Sequence, residues 1–230
     1  MQVDILTLFP DIFYGPFSQS IIARAIKKKL ITINTVNLRD YTYDRHKGVD
    51  DTPYGGGPGM LMKPEPLFDA ITSRKESDSY IILTSPRGEV FNQSIAMELS
   101  LKSKLIIVSG HYEGVDERVI DNLIDREISI GDYILTSGNL AAMVIVDSIA
   151  RLIPGVLGDD ESSKDESFEN NLLEYPQYTK PSDFRGLKVP DVLLSGNHKL
   201  IQKWRTEKAI EITKKNRPDL YEKFIKNQSQ

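Results

Sequence analysis

The sequence predicts an α/β protein built on a parallel sheet, on three observations. Apolar runs at residues 3–9, 31–38, 80–84, 105–108 and 128–135 are continuous where half-exposed strands would alternate, as expected of strands covered on both faces. Between them the stretches 17–29, 92–102, 115–124 and 140–152 have helical spacing, and strand–helix alternation implies crossover connections in a parallel sheet. At 230 residues with 40% hydrophobic and 27% charged side chains, there is enough apolar material for one large core or two small ones.

The opening MQVDILTLFP has no basic segment and carries Asp4 inside its apolar run, so it reads as a strand and not as a signal peptide. No apolar run approaches the roughly 18 residues that a membrane helix needs, so no membrane partner is expected. Cysteine is absent, which excludes disulfides, thiolate metal ligands and a cysteine nucleophile, and fits a reducing, cytoplasmic compartment. Residues 49–62 read VDDTPYGGGPGMLM, in which Gly55, Gly56, Gly57 and Gly59 surround Pro58. Glycine admits positive φ and omits the Cβ, and proline fixes φ, so this segment reads as a shaped backbone surface for close ligand approach, with a tight structural turn as the alternative. It lacks the lysine and Ser/Thr of a phosphate-binding P-loop and does not match GxGxxG.

Three strand exits carry polar and glycine-rich loops: Thr84 to Gly88, Ser109 to Gly114, and Gly131 to Gly138. Ligands of parallel sheets sit at the carboxyl ends of the strands, so all three are expected to face one crevice. His111, like His46 and His198, has no second histidine at metal-ligand spacing, and no zinc site is expected. Glu113 is equally a helix-start carboxylate or a ligand contact, and Arg151 closes a helix where a cation suits the dipole. Residues 156–179 are polar and acidic and read as a flexible linker, in which Asp165, Glu166 and Glu169 are by default solubilising charge. A separate unit begins near Pro181, where Leu200, Ile201 and Trp204 share helical spacing with Lys199, Lys203, Arg205 and Lys208; Trp204 reads as a core anchor in preference to a base-stacking platform. Charge is uneven: +3 over 1–49, −7 over 50–155, −6 over 156–179 and +6 over 180–230, so the basic ends could meet a polyanion despite a net charge of −4.

Read together, VDDTPYGGGPGMLMKPEPL at 49–67, SPRG at 85–88, SGHYEGVDERV at 109–119, SIGDYILTSG at 129–138, RLIPGVLG at 151–158, LLEYPQYTKP at 172–181 and VPDVLLSGNHKLIQKWR at 189–205 closely resemble the bacterial tRNA (guanine-N1)-methyltransferases of the TrmD family, in the SPOUT class. The resemblance covers nearly the whole chain in order. It implies a SPOUT-type parallel sheet with a deep trefoil knot and a small helical C-terminal domain. The expected domains are 1–158 for cofactor binding and catalysis, 159–179 as an acidic linker contributing the base, and 180–230 as a basic tRNA-binding domain.

The implied reaction is methyl transfer from S-adenosylmethionine to N1 of guanosine 37 of tRNA, by a homodimer whose active sites are shared between subunits. By the same resemblance Pro86, Gly110, Tyr112, Glu113, Ile130, Gly131, Tyr133, Leu135 and Gly138 bind the cofactor, and Pro58, Gly59 and Asp50 border the target base. Arg151 matches the arginine that stabilises charge on O6. The base is an aspartate in the family pattern, and here Glu166 occupies that position with Asp165 beside it. Ser137, Asn139 and Ala141 also depart from the pattern, which has glycine, glutamate and proline there. A Mg2+ requirement is implied by the likeness alone. The alternatives are a ribose 2′-O-methyltransferase of the same class, a non-catalytic RNA-binding factor, or a nucleotide-triphosphate enzyme, the last lacking the lysine it would need.

Overall fold

In a computed structural model, which describes residues 1–158, 167–168 and 170–228, the chain divides into two compact units, Met1–Gly158 and Asp159–Gln230. The first unit carries β1 (Gln2–Thr7), α1 (Tyr14–Phe17), α2 (Ser20–Lys27), β2 (Thr32–Asn37), β3 (Asp50–Asp51), β4 (Leu61–Met62), α3 (Pro64–Arg74), β5 (Ser79–Val90), α4 (Gln93–Ser100), β6 (Lys104–Ser109), α5 (Glu117–Leu123), β7 (Arg126–Ser129) and α6 (Asn139–Arg151). Strands β2, β1, β6, β5 and β7 form one parallel sheet in that order.

The alternation of side chains sorts the core into two layers. Val3, Ile5, Ile82, Leu105 and Ile107 face α2, α4 and α6 through Ile22, Ile95, Leu99, Ile145 and Ile149. The intervening Leu6, Ile81, Leu83, Ile106 and Val108 face α3 and α5 through Leu67, Ile71 and Val119. Both faces of β6 are therefore covered and all six of its residues are buried, as the continuous apolar run predicts. Strand β2 differs: it is a sheet edge, and Thr32 and Thr35 are exposed. The run at 128–135 also ends early, at Ser129, because Gly131 turns the backbone at φ +144°. Helix α3, which begins on Pro64 at its first turn, is an element that the apolar runs and helical stretches did not single out.

A polar cluster sits at the amino end of the second face. Asp4 is fully buried on β1 and accepts from Asn34 Nδ2 at 2.7 Å, while Lys104 Nζ approaches it at 3.9 Å and pairs with Glu76. The cluster explains how the apolar first strand tolerates an aspartate. The charge is buried with hydrogen-bond partners, which makes losing one partner more costly than replacing the pair.

The second unit carries β8 (Asp183–Phe184) and β9 (Leu187–Lys188), joined by Arg185 and Gly186 at φ +57° and +83°, the signature of a two-residue hairpin turn. Helices α7 (Asp191–Leu194), α8 (His198–Asn216) and α9 (Pro218–Gln228) follow. Asn197 caps α8 by accepting from Leu200 N, and buried Thr213 accepts from Leu173 N, tying residues 172–175 to that helix. Trp204 is half-buried beside Tyr178, with ring centroids 6.4 Å apart, so the core-anchor expectation holds only for part of its surface; Leu200 is exposed.

Removing Lys104 alone, as Lys104→Met, is expected to destabilise the protein by about 3–5 kcal/mol in urea unfolding, since it strands a buried carboxylate. Lys104→Met with Asp4→Leu should unfold closer to wild type; a double variant as weak as the single one would rule out this account.

Candidate active site

The carboxyl ends of a parallel sheet lie along one edge, and the predicted loops at 109–114 and 131–138 meet there; residues 84–88, expected to be a third loop, instead lie within β5, at the break in its register with β7. They line a cleft of about 460 Å³, within the range of roughly 300–1,000 Å³ typical of small-molecule sites. All nine residues expected to bind a cofactor, Pro86, Gly110, Tyr112, Glu113, Ile130, Gly131, Tyr133, Leu135 and Gly138, are in its wall.

Absent side chains shape the cleft. Gly138 N donates to Gly110 O at 2.7 Å, and a Cβ on Gly138 would fall 1.9 Å from Thr84 Oγ1 and 2.9 Å from Gly110 N. The two loops and β5 touch at that point with no room for a methyl group. Gly131, at φ +144°, lies under the Tyr133 ring, whose hydroxyl donates to Ile130 O at 3.1 Å and folds the loop on itself. Tyr112 holds φ +57°, a conformation a tyrosine adopts only when its surroundings require it.

The glycine-rich segment splits into two parts. Gly55, Gly56 and Gly57 have positive φ, but a Cβ on any of them would meet open space, so conformation and not crowding calls for glycine there. Gly59 is different. At φ +81°, its Cβ would lie 2.4 Å from Glu113 Cγ, so Pro58 and Gly59 can border the Glu113 wall only without a side chain at 59. Main-chain bonds hold this approach: Glu113 N to Met60 O (3.0 Å), Met62 N to Gly114 O (2.9 Å) and Asp116 N to Met62 O (3.1 Å). Asp50 pairs with Met62 across the β3–β4 ladder and stands beside Tyr112. Burial, and then the charge and hydrogen bond of Asp50, push the Tyr112 phenol above its ordinary pKa, against the opposing pull of Arg39.

The wall is acidic. Glu113, Glu117 and Glu127 line it against one guanidinium, Arg87, which bonds both oxygens of Glu117 at 3.1 and 3.2 Å and reaches Glu127 at 3.3 Å. A ligand carrying positive charge fits this balance. Asp116 caps α5 by accepting from Arg118 N at 3.0 Å; the Arg118 guanidinium beside it holds its carboxyl below the usual range.

Arg151 is not among the residues that line the cleft. Arg151 is the last residue of α6, about 18 Å along the helix axis from its start beside Gly138. Asp165 and Glu166 lie outside the described residues. Among those described, no group of three His, Cys, Asp or Glu is placed to hold a metal ion, and no helix is long and apolar enough to cross a membrane. Sequence reasoning missed the Arg87–Glu117–Glu127 clamp and a set of buried hydroxyls under the cleft. Their only trace in the chain is a Thr or Ser at the end of three apolar runs, Thr7, Thr84 and Ser109, a pattern legible once the strands are aligned.

Comparison with known proteins bears on this site. The family model described as tRNA (Guanine-1)-methyltransferase TrmD matches residues 1–223. A tRNA (guanine-N(1)-)-methyltransferase of Dictyoglomus turgidum is 58% identical over 223 residues, covering 97% of this chain and 91% of its own. Proteins of the same name from Carboxydothermus hydrogenoformans and Clostridioides difficile are 57% and 53% identical, over 96% and 97% of this chain and 87% and 98% of theirs.

Substituting Gly138→Ala should lower stability by about 1–3 kcal/mol, the usual cost of an added methyl in a filled space. Because the nearest obstacle is the Thr84 hydroxyl, Gly138→Ala with Thr84→Ala should be less destabilised than the sum of the two single changes. Strict additivity in urea unfolding would show that the two groups do not meet.

Proposed function

Starting from the premise that this chain belongs to the TrmD family of tRNA (guanine-N1)-methyltransferases and methylates guanine N1 in tRNA, we propose that the cleft binds S-adenosylmethionine and that the target is guanosine 37. The observation that carries the cofactor reading is the wall itself: glycines at 110, 131 and 138 bring bare backbone to the cleft, and the excess of carboxylates complements a cationic ligand. When bound, S-adenosylmethionine supplies a methyl group on a sulfonium whose charge disappears on transfer.

The chain's own residues do the rest. Guanine N1 carries a proton and is a poor nucleophile, so a carboxylate must accept that proton as negative charge builds on O6. Glu166 takes this role, with Asp165 the second candidate, and the extra methylene relative to aspartate keeps the same acid–base chemistry. Arg151, a permanent cation, stabilises O6. With that proton removed, N1 would be able to take the methyl group that bound S-adenosylmethionine supplies, and Pro58, Gly59 and Asp50 border the base, which has to leave its stack to reach the cleft.

In this reading the enzyme is a homodimer. Support comes from distance: one chain's Arg151 ends α6 about 18 Å from the cleft edge at Gly138, so a second copy is the natural source of the arginine. Met97 on α4, Leu101 just beyond it, and Leu140 and Val144 on α6 are exposed apolar side chains that a second copy could cover. The SPOUT knot belongs to the same reading, and the contact of Gly138 with Gly110 and Thr84 just before α6 is compatible with it. Residues 1–158 then hold the cofactor and chemistry, 159–179 bring the base, and the +6 segment 180–230 meets the tRNA backbone.

Transfer of labelled methyl from S-adenosylmethionine to transcripts with guanosine or adenosine at position 37 tests the target directly. N1-methylguanosine from the first transcript alone is the expected product; methylation of both, or a ribose methyl, would overturn it. Glu166→Gln should slow single-turnover transfer at least a hundredfold, the usual scale of a general base, while cofactor affinity changes little. Unchanged single-turnover chemistry would move the base elsewhere.

A further inference from the structure

Three adjacent strands carry hydroxyl residues on the same face of the sheet: Thr7 is the last residue of β1, Ser109 the last of β6, and Thr84 sits in β5 where its register with β7 breaks. Thr84 of β5 is in register with Ser109 of β6, and Thr7 of β1 follows the pair Leu6 and Val108, so Thr7, Ser109 and Thr84 form a row beneath the start of α6. Asn139, the first residue of that helix, closes the row from above. Its Oδ1 accepts from Thr7 Oγ1 at 2.8 Å and from Ser109 Oγ at 2.6 Å, and Thr7 Oγ1 in turn accepts from Phe9 N at 3.1 Å. Thr7, Ser109 and Asn139 are 1%, 2% and 2% exposed, so water does not substitute for these bonds.

We infer that Asn139 is a positioning residue for the cofactor cleft: its amide oxygen holds the Ser109–Gly110 and Gly138–Asn139 segments at the separation the bound cofactor needs. The inference rests on the reading of the cleft as the S-adenosylmethionine site. Its ground is a ladder of two rungs. Gly110 and Gly138 both line the cleft and share the 2.7 Å main-chain bond; their neighbours Ser109 and Asn139 share the 2.6 Å side-chain bond just below it. One rung alone is a hinge, and two fix a spacing. Thr7 extends the second rung to β1, so two strands and one helix share a single acceptor atom. Asn139 touches no reacting atom and is not in the cleft wall, so its loss should act on cofactor binding and not on the chemical step.

An aspartate would keep the function. It has the same length, its carboxylate accepts from the same two hydroxyls, and the helix N-terminus offsets part of the cost of burying its charge, so any loss of stability reads out in the melting curve and not in cofactor affinity. Alanine would leave both buried hydroxyls without their acceptor.

The test measures S-adenosylmethionine affinity by calorimetry and methyl transfer at saturating cofactor for the full-length wild type, Asn139→Ala, Asn139→Asp and Ser109→Ala, with melting curves as a check of folding. Asn139→Ala should weaken cofactor affinity at least tenfold with kcat within threefold of wild type. Asn139→Asp should return both to within threefold. Ser109→Ala, which removes one rung donor and keeps Asn139, should weaken affinity less than Asn139→Ala, and it carries the test if Asn139→Ala does not fold. Affinity within threefold of wild type in the folded alanine variants, or a loss in kcat that aspartate does not rescue, would overturn the inference. A wild-type protein that methylates nothing and does not bind S-adenosylmethionine would instead overturn the cofactor reading.

Discussion

The first unit depends on one close contact, where Gly138 rests on Gly110 and Thr84 with no space for a methyl group. A parallel sheet sends every strand's carboxyl end to the same edge, but that alone yields a set of loops and not a cleft. The contact converts them into one wall, because it joins Thr84 in β5, the exit of β6 and the entrance of α6 within hydrogen-bonding distance. The burial of β6 on both faces and the packing of α6 on the first face supply the rigidity that makes so tight an approach tolerable. Shape at the edge is thus inherited from packing in the middle.

How much of this was legible in the sequence follows from what leaves a local signal. Buried strands do, through continuous apolar runs, so the sequence carries the parallel sheet and two of the converging loops, while the polar Ser85 to Gly88 gives no sign that β5 continues to Val90. Strand β2 reads like its neighbours although it is an edge, because burial on one side only is a property of sheet order and sheet order is non-local. The end of β7 was misjudged for a different reason: the apolar Tyr133, Ile134 and Leu135 belong to a loop that packs around Gly131, and an apolar run does not distinguish a strand from such a loop.

At the site, residue types were easier to read than their partners. Gly59 and Glu113 both drew notice, yet their contact joins residues 54 positions apart through the β4–loop pairing and has no periodicity to betray it. Gly55, Gly56 and Gly57 look equivalent to Gly59 in the chain and are not: they serve conformation, and it serves proximity. Asn139 stood out only as a departure from the family pattern. Its environment became meaningful once Thr7 and Ser109 were seen to end neighbouring strands.

The two edges of the sheet differ in electrical character. The buried ionic pair, Asp4 with Lys104, lies at the amino edge, while the buried polar groups beneath the cleft are neutral hydroxyls and an amide. The long-range field at the carboxyl edge is therefore left to the cleft's own carboxylates and to whatever binds there. For protein engineering this separates two tasks that usually conflict: replacing the ionic cluster with well-packed apolar side chains could raise thermal tolerance from the far edge, without disturbing the electrostatics on which catalysis relies.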